Sequence, residues 1–156
     1  MTAIWLADMA GRVGEDFGAS KWYEITQDLI NVFAEVTEDK QFIHLDADRA
    51  RTESPYGGTV AHGFLTTAML SRMAYDILPV FHDAPVGINY GFNKLRFLAP
   101  VPSGAQIRGQ FSLTNFEDRG ADALLFWAVT VAIEGQIKPA LAAEWIHLRV
   151  RDKAAA

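Results

Sequence analysis

Gly63-Phe-Leu-Thr-Thr-Ala-Met-Leu-Ser-Arg-Met-Ala-Tyr-Asp-Ile-Leu78 is the stretch from which the architecture follows. Phe64, Leu65, Ala68, Met69, Leu70, Met73, Ala74, Ile77 and Leu78 cover nearly its whole circumference when it is wound as a helix. Only Arg72 and Asp76 are charged, four apart on one narrow stripe. A helix that is apolar almost all round is a buried one, and Pro79 falls where a stop belongs. Downstream the period changes from helical to alternating. Strand-like segments run over about 86–98, 105–118, 122–135 and 138–150, separated by Pro100 to Gly104, Arg119-Gly120 and Glu134-Gly135. Ile107, Phe111 and Leu113 alternate with Arg108, Gln110 and Ser112, as in a half-buried antiparallel strand. In the first of the four the phase flips near Asn93, from Ile88, Tyr90 and Phe92 to Leu95 and Phe97, which means a bulge or a strand covered on both faces. The connections are too short for parallel crossovers.

Upstream, Lys21–Ile25 (KWYEI) reads as a short strand, and Thr26 caps a helix over about 27–37 whose apolar face is Leu29, Ile30, Phe33 and Val36. Residues 38–61 are polar, with Pro55, Gly57 and Gly58, and predict irregular chain with at most short helical turns. Residues 1–19 lack a period and read as a lead-in arm. The order strand, helix, loop, buried helix and four antiparallel strands predicts an α+β hot-dog fold, a curved five-stranded antiparallel sheet wrapped around a central helix. It forms one domain over 1–156, with its core at about 13–150.

Composition narrows the function. The chain of 156 residues is 50% hydrophobic and 21% charged, which excludes disorder. A net charge of −5 argues against a nucleic-acid partner, since phosphate contacts need a basic face. The absence of cysteine removes a disulfide scaffold, a thiol nucleophile and a zinc–thiolate site. The first residues lack the basic region of a signal peptide, and no apolar run is long enough to span a membrane. A cytoplasmic protein is the expectation.

The candidate chemistry lies in Thr37-Glu-Asp39-Lys-Gln-Phe-Ile-His44-Leu-Asp46-Ala-Asp48. On a continuous helix Asp39 and His44 would point about 140° apart. If the helix ends near Thr37 the chain is free to fold back, and a carboxyl and an imidazole then converge on one water. That pair is the minimal equipment for adding water across an activated double bond. The plain alternative is a turn aspartate and a partly buried imidazole bonded to backbone. His44-x-Asp46-x-Asp48 also has the form of a hard-metal ligand run, but no second ligand cluster accompanies it, so no metal is assigned and Asp46 and Asp48 read as a solvated or helix-starting pair. Ala61-His62-Gly63 precedes the buried helix, whose N-terminus offers unpaired N–H groups to a developing oxyanion. Alternatively Gly57-Gly58 and Gly63 only shape a loop-to-helix turn. Ser71 lies nine residues past His62, about 13 Å along the helix, and taken alone is a hydroxyl satisfied by the carbonyl four residues back.

Asp39-x4-His44-x-Asp46, Gly57-Gly58-Thr-Val-Ala61-His62-Gly63-Phe-Leu and Ser71 together resemble the MaoC-like dehydratases, which include the R-specific enoyl-CoA hydratases. Gly87-Ile-Asn89-Tyr90-Gly91-Phe92-Asn93-Lys94-Leu95-Arg96-Phe97 and Pro100-Val-Pro102 bring the chain closer to the branch related to nodulation protein N. The resemblance runs from about Val13 to Val150. It implies a hot-dog homodimer and reversible hydration of trans-2-enoyl-CoA to R-3-hydroxyacyl-CoA, with no cofactor beyond the CoA thioester substrate. By position, Asp39 and His44 would be catalytic, with Gly63, His62 and Ser71 in the oxyanion and substrate-binding region. One departure is Gln41-Phe42, where the hydratases carry Asn-Pro. A thioesterase of the same fold and a non-catalytic acyl-thioester binding module are the rival readings.

Overall fold

The computed structural model describes residues 3–152. Thr26 caps the first α-helix, its side chain accepting from the Leu29 N–H, and α1 (Gln27–Thr37) follows. After it come α2 (Phe42–Leu45), α3 (Ala47–Glu53) and α4 (Gly63–Ile77). Two short strands, β1 (Asp16–Ala19) and β2 (Tyr23–Glu24), precede these helices. Four long ones follow: β3 (Val86–Phe97), β4 (Gln106–Asp118), β5 (Asp122–Ile133) and β6 (Leu141–Val150). One antiparallel sheet orders them β1-β4-β5-β6-β3, with β2 also on β4. The expected α+β hot-dog arrangement forms.

The sheet has a sixth strand, contributed by the arm that carries no sequence period. Leu6–Arg12 is a 3-10 helix whose Leu6 and Met9 are fully buried. In β1, Phe17 stands edge-on to Trp127, with ring centroids 5.1 Å apart. Four residues with a glycine among them are too short and too permissive to show alternation. In α1, Ile30 and Ala34 are buried, whereas Val36 faces solvent.

The core is the concave side of the sheet closed on one side of α4. Trp127, Trp145, Phe111, Leu113 and Ile107 meet Leu70 and Met73 there, all at most 2% exposed. Truncating such a side chain to alanine costs about 2–5 kcal/mol. α4 is not buried all round. Phe64 is 67% exposed and Tyr75 79%, and Ala68 lies open between them. The sheet reaches round only one side of the helix, so the apolar outer stripe faces solvent in the single chain. The phase flip in β3 is a bulge: its pairing with β6 slips between Asn89 and Gly91 and again between Phe92 and Lys94. β3 is an edge strand, and its Val86, Ile88, Tyr90 and Phe92 are exposed.

On β6, His147 packs at 3.8 Å, centroid to centroid, against Trp145 and at 6.4 Å against Trp127. Burial, with the neighbouring Arg149 charge adding to it, pushes its imidazole down to about 3. An unfolded histidine takes up its proton near 6.5. Between pH 6.5 and about 3 the unfolded chain therefore binds a proton that the folded one refuses, and stability falls as pH falls through that window. At 1.36 kcal/mol per unit, the loss from pH 7 to pH 5 is about 2 kcal/mol from this residue. Urea unfolding of wild type and His147→Phe at both pH values checks it: the wild type should lose about 2 kcal/mol more than the variant. Equal losses would show that His147 is not held neutral.

Candidate active site

The end of α1 creates the site. Glu38 caps the helix in the left-handed region, φ 59°, at a cost of about 1–2 kcal/mol for a residue with a Cβ. That reversal, held by the Lys40 N–H donating to the Glu38 carbonyl at 3.1 Å, turns Asp39 back and leads into α2, with Gln41 at its N-cap. The fold-back required for Asp39 and His44 to meet is therefore present.

Several hydrogen bonds then fix His44. Gln27 donates from Nε2 to the His44 carbonyl at 2.7 Å and accepts from Thr59 Oγ1 at 2.6 Å, tying the start of α1 to α2 and to the segment before α4. That segment is clamped on both sides: Val60 N–H donates to Ile43 O at 3.0 Å, and Ala61 N–H to Val101 O at 2.8 Å. The Val60 carbonyl consequently faces His44 Nδ1 at 2.6 Å. A carbonyl only accepts, so the proton sits on Nδ1 and the Nε2 lone pair is free.

His62 stacks on His44, centroids 3.7 Å apart at 25°, with the Phe33 ring tilted against it at 5.1 Å. Its Nε2 donates to the backbone carbonyl of Asp39 at 2.9 Å. Its Nδ1 is buried with no partner among the described residues. One ligand atom from each of Asp39, His44 and His62 lies within 4.8 Å of the others. Two hydrogen bonds of about 2.8 Å meeting at a tetrahedral angle span about 4.6 Å. The spacing suits one water shared between the carboxylate and an imidazole. The same three atoms are also spaced as metal ligands could be, and a backbone carbonyl on the other nitrogen of each ring is compatible with ligation. Asp39 is exposed, whereas His44 is 7% exposed. Burial lowers the His44 pKa; the Val60 hydrogen bond opposes that, His62 adds to it and Asp39 opposes it. His44 is neutral at pH 7.

Asp46 and Asp48 take no part. Asp46 caps α3, accepting from the Arg49 N–H, and Asp48 pairs with Arg51.

Gly63 is the first residue of α4, and no group among the described residues takes its N–H. It lines a cavity of 350 Å³ with His44, Tyr56, Val60, Thr66 and Phe97. A Cβ at Gly63 would come within 2.9 Å of the Phe97 ring, so a larger residue here would push that ring aside. Ser71 is elsewhere. It accepts from Asn89 Nδ2 at 3.1 Å and lines a different, larger cavity at the other half of α4. Within one chain the helix holds Ser71 away from the histidines. Gln27, Thr59 and Phe97 are members of the site that spacing did not disclose, because each acts from a distant segment.

Residues 8–132 match the family model described as a MaoC like domain. Over 149 residues the chain is 48% identical to nodulation protein N of Rhizobium meliloti, covering 95% of this chain and 92% of that one. Over 142 residues it is 44% identical to 3-hydroxyacyl-thioester dehydratase Z of Mycobacterium tuberculosis, covering 90% and 93%. An R-hydratase of Pseudomonas aeruginosa, solved without ligand, superposes with TM-score 0.71 at 22% identity, over 96% of this chain and 88% of that one, a likeness of fold. With the family model spanning most of the chain and close relatives along nearly its full length, the protein belongs to the MaoC-like domain family.

Proposed function

We propose that the protein is a hydro-lyase that adds water to a trans-2-enoyl-CoA, giving the R-3-hydroxyacyl-CoA, and runs equally in reverse. The observation that carries this is the free Nε2 of a neutral His44, oriented by the 2.6 Å bond to Val60 and set beside the Asp39 carboxylate. The relative named a 3-hydroxyacyl-thioester dehydratase supports the substrate class. In the hydration direction, His44 takes one proton from a water that Asp39 also holds, and the oxygen attacks C3. The proton taken by His44 passes to Asp39 and from it to C2, which restores the neutral imidazole and the carboxylate and completes the addition of one water. Both groups lie on one face of the substrate, so the addition is syn. The Gly63 N–H and the α4 dipole stabilise the enolate-like thioester oxygen formed meanwhile. The thioester itself supplies the activation, and the scheme needs no metal or further cofactor.

Crotonyl-CoA is the direct test, with loss of the enoyl thioester absorbance followed beside a thiol reagent. Hydration bleaches the absorbance without releasing thiol. Thiol release would identify a thioesterase, and binding without turnover a binding module. Asp39→Asn and His44→Ala should each lower kcat by about 10² or more, and the double variant should be little worse than either. Because His44 must be neutral, kcat/KM should fall as pH falls, with the acid limb centred below 6.5. Near-normal turnover by folded His44→Ala would remove it from the chemistry.

We also propose that the working unit is a two-fold homodimer built on β3 and the outer stripe of α4. An unpaired edge carrying Ile88, Tyr90 and Phe92, beside Phe64 and Tyr75, is the kind of surface chains cover. Antiparallel packing of two α4 helices about the axis would bring the Ser71 half of one against the Gly63 end of the other. That would reconcile the family role of Ser71 with its distance from His44 in one chain. Light scattering at micromolar concentration should give twice 17.2 kDa, and Ile88→Lys with Tyr90→Lys should give monomer. A wild-type monomer would overturn it.

A further inference from the structure

The larger of the two cavities is not the one at the histidine pair. It measures 490 Å³ and lies between the C-terminal half of α4, the loop to β3, and the inner face of β3 and β6. Its walls include Ala74, Leu78, Ala84 and Trp145, and its polar side chains include Ser71, Tyr75, Asn89, His147 and Arg149.

Arg149 is unlike the other arginines. Arg12, Arg49, Arg51, Arg72, Arg119 and Arg151 each pair with a carboxylate. Arg96 and Arg108 have no such pair but are exposed. Arg149 is half-buried, its Nε is enclosed without a partner, and no carboxylate meets it among the described residues. Its guanidinium lies 5.1 Å from the centre of the Phe81 ring. On β3 it rests on Gly87, where a Cβ would come within 2.6 Å of Nη1, so the backbone is cleared for it. Burial works against its charge, and the nearby Tyr75 hydroxyl is the one acidic group working for it. A guanidinium stays charged at any working pH, and a buried charge without an opposite one is expensive.

We propose that this cavity binds the carboxylate of a small, mostly apolar organic acid, paired with Arg149 and flanked by Asn89 and Ser71. A carboxylate matches the planar fork with two parallel hydrogen bonds. The Ser71 hydroxyl accepts from Asn89, leaving its own proton and the second Asn89 Nδ2 hydrogen to donate to the ligand. The charge count selects a monoanion. His147, the other basic group in the cavity, is neutral, so one positive charge is present and a phosphate dianion would stay half unbalanced. The aliphatic and Trp145 walls suit a short hydrocarbon body. Two sources offer this chemistry: the far end of an acyl chain whose thioester occupies the proposed hydratase site, or a separate carboxylic acid. Only the first rests on the hydratase reading.

Binding of hexanoate and of the isosteric neutral hexanamide to the full chain, followed by tryptophan fluorescence and calorimetry, tests the site. Hexanoate should bind at least tenfold more tightly than hexanamide. Arg149→Met should abolish that preference, leaving hexanamide unchanged. Gly87→Ala keeps the charge but puts a methyl where the guanidinium lies, and should weaken hexanoate at least tenfold. Equal binding of acid and amide, binding unaffected by both variants, or no binding of either would overturn the proposal; the last would mean that the assembled protein neutralises Arg149 itself. A kinetic arm separates the sources. If the acid is the end of an acyl chain, Arg149→Met lowers kcat/KM at least tenfold for glutaconyl-CoA, which ends in a carboxylate, and leaves crotonyl-CoA unchanged. If it is a separate molecule, both thioesters respond alike while the hexanoate preference is still lost. Failure of the hydratase reading would show as no turnover of either thioester, with the binding arm still deciding the site.

Discussion

Everything chemical in this protein depends on α4 being packed on one side only. Leu65, Leu70 and Met73 lock into the concave sheet, none more than 4% exposed, against Phe111, Trp127 and Trp145. Packing at that density leaves the helix no freedom to slide or roll. Its N-terminus is consequently a fixed point, and Gly63 presents its N–H at a set place beside His44. Its second half presents Ser71, Ala74 and Leu78 to the other cavity at an equally fixed distance. One rigid element organises both cavities, and its bare outer stripe is what remains for a second chain.

Burial decides the protonation states, and backbone carbonyls decide the tautomers. His44 and His147 are both withdrawn from water and both resist protonation. They differ in what orients them. His44 is held by the Val60 carbonyl, which leaves a bare nitrogen facing Asp39. His147 is wedged between two indoles, where its role in the apo chain is packing. The residue type is the same in both places, and the hydrogen bond is what turns one of them into a candidate base.

Periodicity made much of this legible. The apolar run over 63–78, the alternation after Val86 and the cap at Thr26 each correspond to an element found where the pattern puts it. The convergence of Asp39 and His44 was legible as a condition, namely that the helix end at Thr37. What supplies that ending, a glutamate in the left-handed region, has no local signature, since glycine or asparagine usually holds such a position. The stack of His62 on His44 joins residues eighteen apart through the clamped segment at Val60, and no spacing rule reaches that far. β1 was hidden by brevity. Arg149 was not hidden: once Trp145 is inward on β6, a period of two sends His147 and Arg149 inward as well. The polar members of that row were the available signal.

The apolar outer stripe of α4 and the bare edge of β3 are best understood as one fact. Edges that must stay single are blunted with charge, proline or extra bulges. β3 has bulges at its middle and Lys94 beyond them, but its first half presents Val86, Ile88 and Tyr90 with their strand edge unpaired. A helix surface meant for water would not carry Phe64, Ala68 and Tyr75, spaced one turn and then two turns apart, along one line. The sequence reads α4 as buried all round because its composition is apolar on every side, and the single chain shows only half of that burial. In the proposed dimer the same packing that hides the stripe would close the open side of the His44 cavity with the partner's helix. Dimerisation and desolvation of the candidate base would then be one event, and the low dielectric that keeps His44 neutral would deepen when the two chains meet.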